Sequence, residues 1–159
     1  MSSVYGEPRL TQDIDIVISP DAAKQRTDDL VMQLDSSDFL FGEENVRQAV
    51  ASGELFQLLD KTESLKLDIY PRELIPGELQ RSVHLELFEG ITLPVVSQTD
   101  AALSKLIWVE KGSHRSRRDL RSIFKNSEPA TQAIIREQAT AMRLINLLDQ
   151  VLSESDEIR

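Results

Sequence analysis

Apolar and polar positions alternate over residues 10–18, so that Ile14, Ile16 and Ile18 share one side of an extended chain and Asp13, Asp15 and Val17 the other. A period of two with β-branched residues predicts a strand whose isoleucine face is buried. The same alternation recurs in 65–70, with Leu65, Leu67 and Ile69 against Lys66, Asp68 and Tyr70. It recurs again in 81–88, with Val83, Leu85 and Leu87 against Ser82, His84 and Glu86. Residues 54–59 predict a strand that pairs with 65–70 as an antiparallel hairpin, and 91–96 a short strand after the Glu89-Gly90 turn. Histidine 84 is then an exposed strand residue.

Between these strands the period lengthens. Ser19-Pro20-Asp21 opens a helix over 21–35. Val46, Ala49 and Val50 mark a second helix over 43–52, ended by Gly53. Ser97 caps a helix to Lys111, with Asp100 three residues on as its capping-box partner and Gly112 as the stop. Residues 115–125 predict a further helix with Leu120, Ile123 and Phe124 inward, and 130–153 one long helix. Residues 72–80, with Pro76-Gly77, are irregular or a short helix. The expected fold class is α/β of the mixed α+β kind: a small mixed sheet backed by helices (1–96), then a helical region (97–159) in the same globular unit.

Composition narrows the classes. A chain of 159 residues with 40% hydrophobic and 28% charged residues suits one globular domain. Without cysteine there is neither a disulfide framework nor a thiolate zinc site, and His84 and His114 are not at metal-ligand spacing. The start has no basic, apolar leader pattern and no apolar run reaches membrane length, so a cytoplasmic protein with no membrane partner is expected. The net charge is −9, which argues against sequence-blind binding to duplex DNA. Residues 105–125 run against this, with 7 Lys/Arg and 2 Asp/Glu. Lys111, Arg115, Arg117, Arg118, Arg121 and Lys125 form a basic segment suited to RNA or a triphosphate.

The candidate chemistry lies in the first strand. Asp13 and Asp15 on one face stand roughly 7 Å apart and repel, a conflict that a divalent cation removes. Asp68, on an adjacent strand, can join them. Three such carboxylates can hold two Mg²⁺ ions about 4 Å apart, the spacing of two-metal phosphoryl chemistry.

The order D-x-D followed by a lone Asp on a later strand resembles the nucleotidyltransferase superfamily that includes polymerase beta. The string Tyr5-Gly6-Glu7-Pro8-Arg9-Leu10-Thr11-Gln12-Asp13-Ile14-Asp15 is similar to that of the small prokaryotic AbiEii-type toxins. The resemblance covers residues 4–125. It implies a nucleotidyltransferase-like topology and transfer of a nucleoside monophosphate from a nucleoside triphosphate to a hydroxyl on RNA (tRNA) or protein. It also implies an antitoxin protein as partner. Asp13, Asp15 and Asp68 would be catalytic and bind Mg²⁺ or Mn²⁺, with Asp68 or a nearby water taking the proton. Lys105, in a segment (97–106) resembling one of the family's, would contact the triphosphate, Asp119 of Arg118-Asp119 would orient Lys105 or an arginine, and Arg9 would reach phosphate.

One departure stands out. The superfamily carries a Gly-Gly or Gly-Ser pair on a turn before the D-x-D strand, where backbone N–H groups hold phosphate. Here Ser2 to Gly6 resembles the end of the helix that follows that pair, and the pair is not present. The expectation is a chain that lacks an N-terminal strand and turn, through a late start or true loss. It would bind metal, bind triphosphate roughly a hundredfold or more weakly, and expose a sheet edge that favours a homo-oligomer. The alternative is a non-catalytic module of the same fold with an incomplete triphosphate site. A metal-dependent nuclease is the third reading, disfavoured for want of a lysine adjacent to the carboxylates.

Overall fold

The two aspartate-bearing alternations become neighbouring strands. The computed structural model describes residues 2–5, 13–63 and 65–154. Among them, helix α1 spans Ser2–Tyr5 and strand β1 spans Asp13–Val17, followed by helices α2 (Pro20–Gln25) and α3 (Thr27–Asp35), strand β2 (Phe39–Leu40) and helix α4 (Glu43–Ser52). Strands β3 (Phe56–Asp60), β4 (Lys66–Tyr70), β5 (Val83–Phe88) and β6 (Ile91–Val95) come next. Helices α5 (Gln98–Glu110), α6 (His114–Lys125), α7 (Pro129–Ala141) and α8 (Ile145–Ser153) end the described chain. The fold is mixed α+β. No helix among the described residues is long and apolar enough to cross a membrane.

The chain groups into two compact units, Leu10–Leu79 and Met1–Arg9 with Gln80–Arg159. In the first, four strands form a mixed sheet in the order β1-β4-β3-β2. β1 runs parallel to β4, while β3 is antiparallel to both β4 and β2. The expected β3–β4 hairpin is present. Its loop is set by Asp60, whose Oδ1 accepts the N–H groups of Thr62 (2.8 Å) and Glu63 (2.6 Å). Phe56, Leu58 and Ile69 project from the sheet into a core with Ala23, Val31, Leu34, Val46, Ala49 and Val50 of the helices. Full burial of each larger side chain stabilises by about 1.5–3 kcal/mol.

The isoleucine face expected to be buried is only partly so. Ile14 is 44% and Ile16 36% exposed, because β1 is the edge strand and the core centres on β3 and β4. The single helix expected over 21–35 is two. At Arg26 (φ −123°, ψ 31°) the chain leaves helical geometry, and the Thr27 hydroxyl donates to the Ala23 carbonyl at 2.8 Å, a bond that competes with the backbone ladder. The irregular stretch after β4 is held by carboxylates. Glu78 Oε1 accepts the Leu74 N–H (2.6 Å), and Glu73 accepts those of Gly77 (2.9 Å) and Leu79 (3.0 Å).

In the second unit, among the described residues, β5 and β6 pair only with each other, so the sheet expected to be one is two. This hairpin, expected with the N-terminal core, groups with the helices. Arg81, just before β5, explains the tie: its Nε and Nη2 donate to Asp100 Oδ2 and Oδ1 at 3.0 and 2.8 Å. Asp100 thus departs from the capping box read from the sequence. The Ser97 hydroxyl accepts the Asp100 N–H (3.1 Å) and donates to its Oδ2 (2.7 Å), while the arginine fork holds the remaining valences.

The long helix expected over 130–153 also breaks. Arg143 takes a left-handed conformation (φ 60°) after α7, with Leu144 N–H donating to the Ala139 carbonyl (2.8 Å) and Arg143 N–H to that of Thr140 (2.9 Å). The reversal lets Ile135 and Ala139 of α7 and Leu148 and Val151 of α8 all reach full burial. Arginine is a good helix former, which hides the turn from a propensity reading. A glycine tolerates this conformation and an arginine is strained in it. Arg143→Gly should therefore stabilise the protein by about 0.5–1 kcal/mol and raise Tm by about 1–4 °C in a thermal melt.

Candidate active site

Strand parity alone cannot bring Asp15 to Asp68; register does. In the β1–β4 ladder Asp15 stands opposite Asp68, Asp13 opposite Lys66 and Val17 opposite Tyr70. In-register residues of parallel strands share a face, and their strands lie about 4.8 Å apart. On the far side of β4, Gln57 of β3 also stands opposite Asp68. Asp13 lies in β1 at the predicted place, and its side chain is outside the described residues, as is the whole of Arg9.

Asp15 is exposed and Asp68 is buried. Two like charges side by side in a sheet repel, and three neighbours offset this. Gln57 Nε2 donates to Asp68 Oδ1 at 3.0 Å. Lys66 Nζ lies 3.5 Å from Asp68 Oδ2. The Tyr70 phenol lies near enough to feel the charges of Asp15 and Asp68. Burial, and then the negative charges of Asp15 and Asp68, push that phenol up to about 12, against the opposing pull of Arg72. It therefore remains a protonated donor at neutral pH.

Among the described residues no group of three His, Asp, Glu or Cys side chains is placed to hold a metal ion; the described carboxylates here are the Asp15–Asp68 pair. The nuclease reading was set aside for want of a lysine beside the carboxylates, and that ground fails, since Lys66 is beside Asp68. Gln57, Lys66 and Tyr70 were not singled out from the sequence. Lys66 and Tyr70 share the parity of Asp68, and a hairpin centred on residues 62 and 63 would have put Gln57 opposite it.

The other expected site residues lie in the second unit. Lys105 of α5 pairs with Asp119 of α6 at 3.2 Å, with 16% and 11% of their side chains exposed. This is a largely buried ion pair and not a solvated helix lysine. The basic segment is partly spent inside the fold. Arg117 and Arg121 both bind the Glu154 carboxylate beyond α8, Arg121 at 2.9 Å. Lys111 lies 5.1 Å from the centre of the Trp108 ring. Arg118, Arg121, Ser122, Lys125 and Glu154 line a cleft of about 450 Å³.

The mixed α+β fold thus places an edge D-x-D strand in register with a third aspartate on the neighbouring strand. The family model described as nucleotidyl transferase AbiEii toxin, Type IV TA system, matches residues 1–143, and the chain belongs to that family. No curated protein matches the chain.

Two measurements test the geometry. A phenol raised in the folded state stabilises that state fully below its unfolded value of 10.0, and the contribution is lost as pH climbs through about 12. Urea midpoints of the native protein should therefore fall between pH 10 and 12, and fall less in Tyr70→Phe. For the second pair, Lys105→Met should cost about 2–3 kcal/mol, because a poorly exposed Asp119 carboxylate loses its cation. A double-mutant cycle with Asp119→Asn should give a coupling above about 1 kcal/mol, and a coupling near zero would return Lys105 to the solvated surface.

Proposed function

We propose that this chain is a metal-dependent nucleotidyltransferase, the toxin of a toxin–antitoxin pair, which moves a nucleoside monophosphate from a triphosphate to a hydroxyl. The observation that supports this best is the Asp15–Asp68 register in a chain of this family. The acceptor hydroxyl attacks the α-phosphorus, pyrophosphate leaves, and Asp68 takes the hydroxyl proton. The donors fit a hard divalent cation: carboxylate oxygens on two strands whose spacing the ladder fixes. Asp13, Asp15 and Asp68 would hold Mg²⁺ or Mn²⁺, which when bound lowers the pKa of the attacking hydroxyl and neutralises triphosphate charge.

The chain's own residues do the rest. The Tyr70 phenol sits beside the Asp15 and Asp68 carboxylates as a neutral neighbour. Gln57 fixes Asp68 through Oδ1 and leaves Oδ2 for exchange of partners. We assign Lys105 and Arg9 to the triphosphate, with Asp119 holding Lys105, on the sequence resemblance and on the Lys105–Asp119 pair. The acceptor is a tRNA or a protein hydroxyl, and the family supports an antitoxin as partner.

The test is incubation of the chain with each labelled nucleoside triphosphate, Mg²⁺ or Mn²⁺, and either total RNA or protein. Label should pass to a macromolecule, and Asp15→Asn or Asp68→Asn should slow transfer by about a hundredfold or more. Equal transfer by wild type and both variants would refute the assignment.

A further inference from the structure

The two oxygens of Asp68 are held by partners of different kinds. Oδ1 takes the neutral Gln57 amide at 3.0 Å, and Oδ2 faces the Lys66 ammonium at 3.5 Å. Lys66 precedes Asp68 by two residues on the same strand face and stands opposite Asp13 in the ladder. Its side chain is 36% exposed, against 13% for that of Asp68, so the carboxylate is fixed while the ammonium has room to leave. A lysine carries a compact charge on a flexible stem, which suits it to exchange one anionic partner for another.

An ammonium and a dication at one carboxylate oxygen repel each other, so they compete for it. A neutral amide has no such conflict, and Gln57 can stay. We propose that Lys66 is a displaceable counter-ion: it neutralises Asp68 until a divalent cation takes the carboxylate, and then turns its ammonium to the phosphates of the nucleotide. The inference rests on the metal-dependent reading above. It makes metal and polyphosphate binding mutually supportive, because each removes a competitor of the other, and such coupling is reciprocal.

The probe is Mn²⁺ titrated into the whole chain and followed by electron paramagnetic resonance, with no nucleotide present. Lys66→Met and Lys66→Gln should tighten Mn²⁺ about three- to tenfold, while Lys66→Arg stays near wild type. At saturating Mn²⁺, the same two neutral variants should bind inorganic tripolyphosphate more weakly in a calorimetric titration. If Lys66 were only a structural tie, loss of its charge would leave Mn²⁺ affinity unchanged or weaken it, and that result overturns the proposal. Unweakened tripolyphosphate binding overturns its second half. Circular dichroism identifies any variant that fails to fold, and the folded one of the two neutral variants then decides. Failure of the wild type to bind Mn²⁺ would instead sink the metal-dependent reading itself.

Discussion

Everything the carboxylate site does depends on the register of β1 against β4. A slip of one residue would exchange the faces of a strand, sending Asp68 toward the helices and Ile69 toward solvent. What prevents it is apolar. Ile69, Phe56 and Leu58 are locked among the helices, and the Asp60 turn sets how β3 meets β4. β1 must then align with a strand already fixed from its other side. The core therefore positions the chemistry without touching it: the buried face of β4 chooses the register, and the register delivers Asp68 to Asp15.

That delivery costs electrostatic repulsion, and the three groups that offset it do so differently. The glutamine satisfies a lone pair without charge, the phenol stays neutral beside the two carboxylates, and the lysine brings opposite charge. A site built only for stability would have used cations throughout, or apolar residues. Two neutral groups and one lysine thus surround the pair with contacts of different kinds.

The strands were legible because alternation is a strong local signal. The aspartates stood out because carboxylates on a strand face need a reason. Each strand and helix that carries these residues lies within a few positions of where its pattern puts it. The failures have a common cause: they turn on events between elements. No local pattern marks β1 as an edge strand, so Ile14 and Ile16 looked buried. The breaks at Arg26 and Arg143 go with a threonine hydroxyl bond and with the burial of apolar residues on both α7 and α8, not with glycine or proline. Asp100 keeps its local bonds to Ser97, but its other partner, Arg81, lies 19 residues away and outside any local pattern.

The helical unit shows how a run of like charge should be read. In a chain of net charge −9, six basic residues between 111 and 125 suggest a surface for an anion. Yet Arg117 and Arg121 converge on one carboxylate, Glu154, and tie α6 to the end of α8, while Lys111 lies over Trp108. Lys105 with Asp119 joins α5 to α6, and Arg81 with Asp100 joins the hairpin to α5. Each of these carboxylates lies on a different element from the cation it binds. The charges therefore act as crosslinks in a unit whose apolar core is Leu103, Leu106, Leu120, Ile123, Ile135 and Leu148. Hydrophobic contact is non-directional and tolerates sliding of one helix along another. Paired charges at fixed positions do not, since a shift of one turn separates arginine from carboxylate by about 5.4 Å. The basic run is thus in good part a device that fixes how the helices align, and Lys111, Arg115, Arg118 and Lys125 are its exposed members.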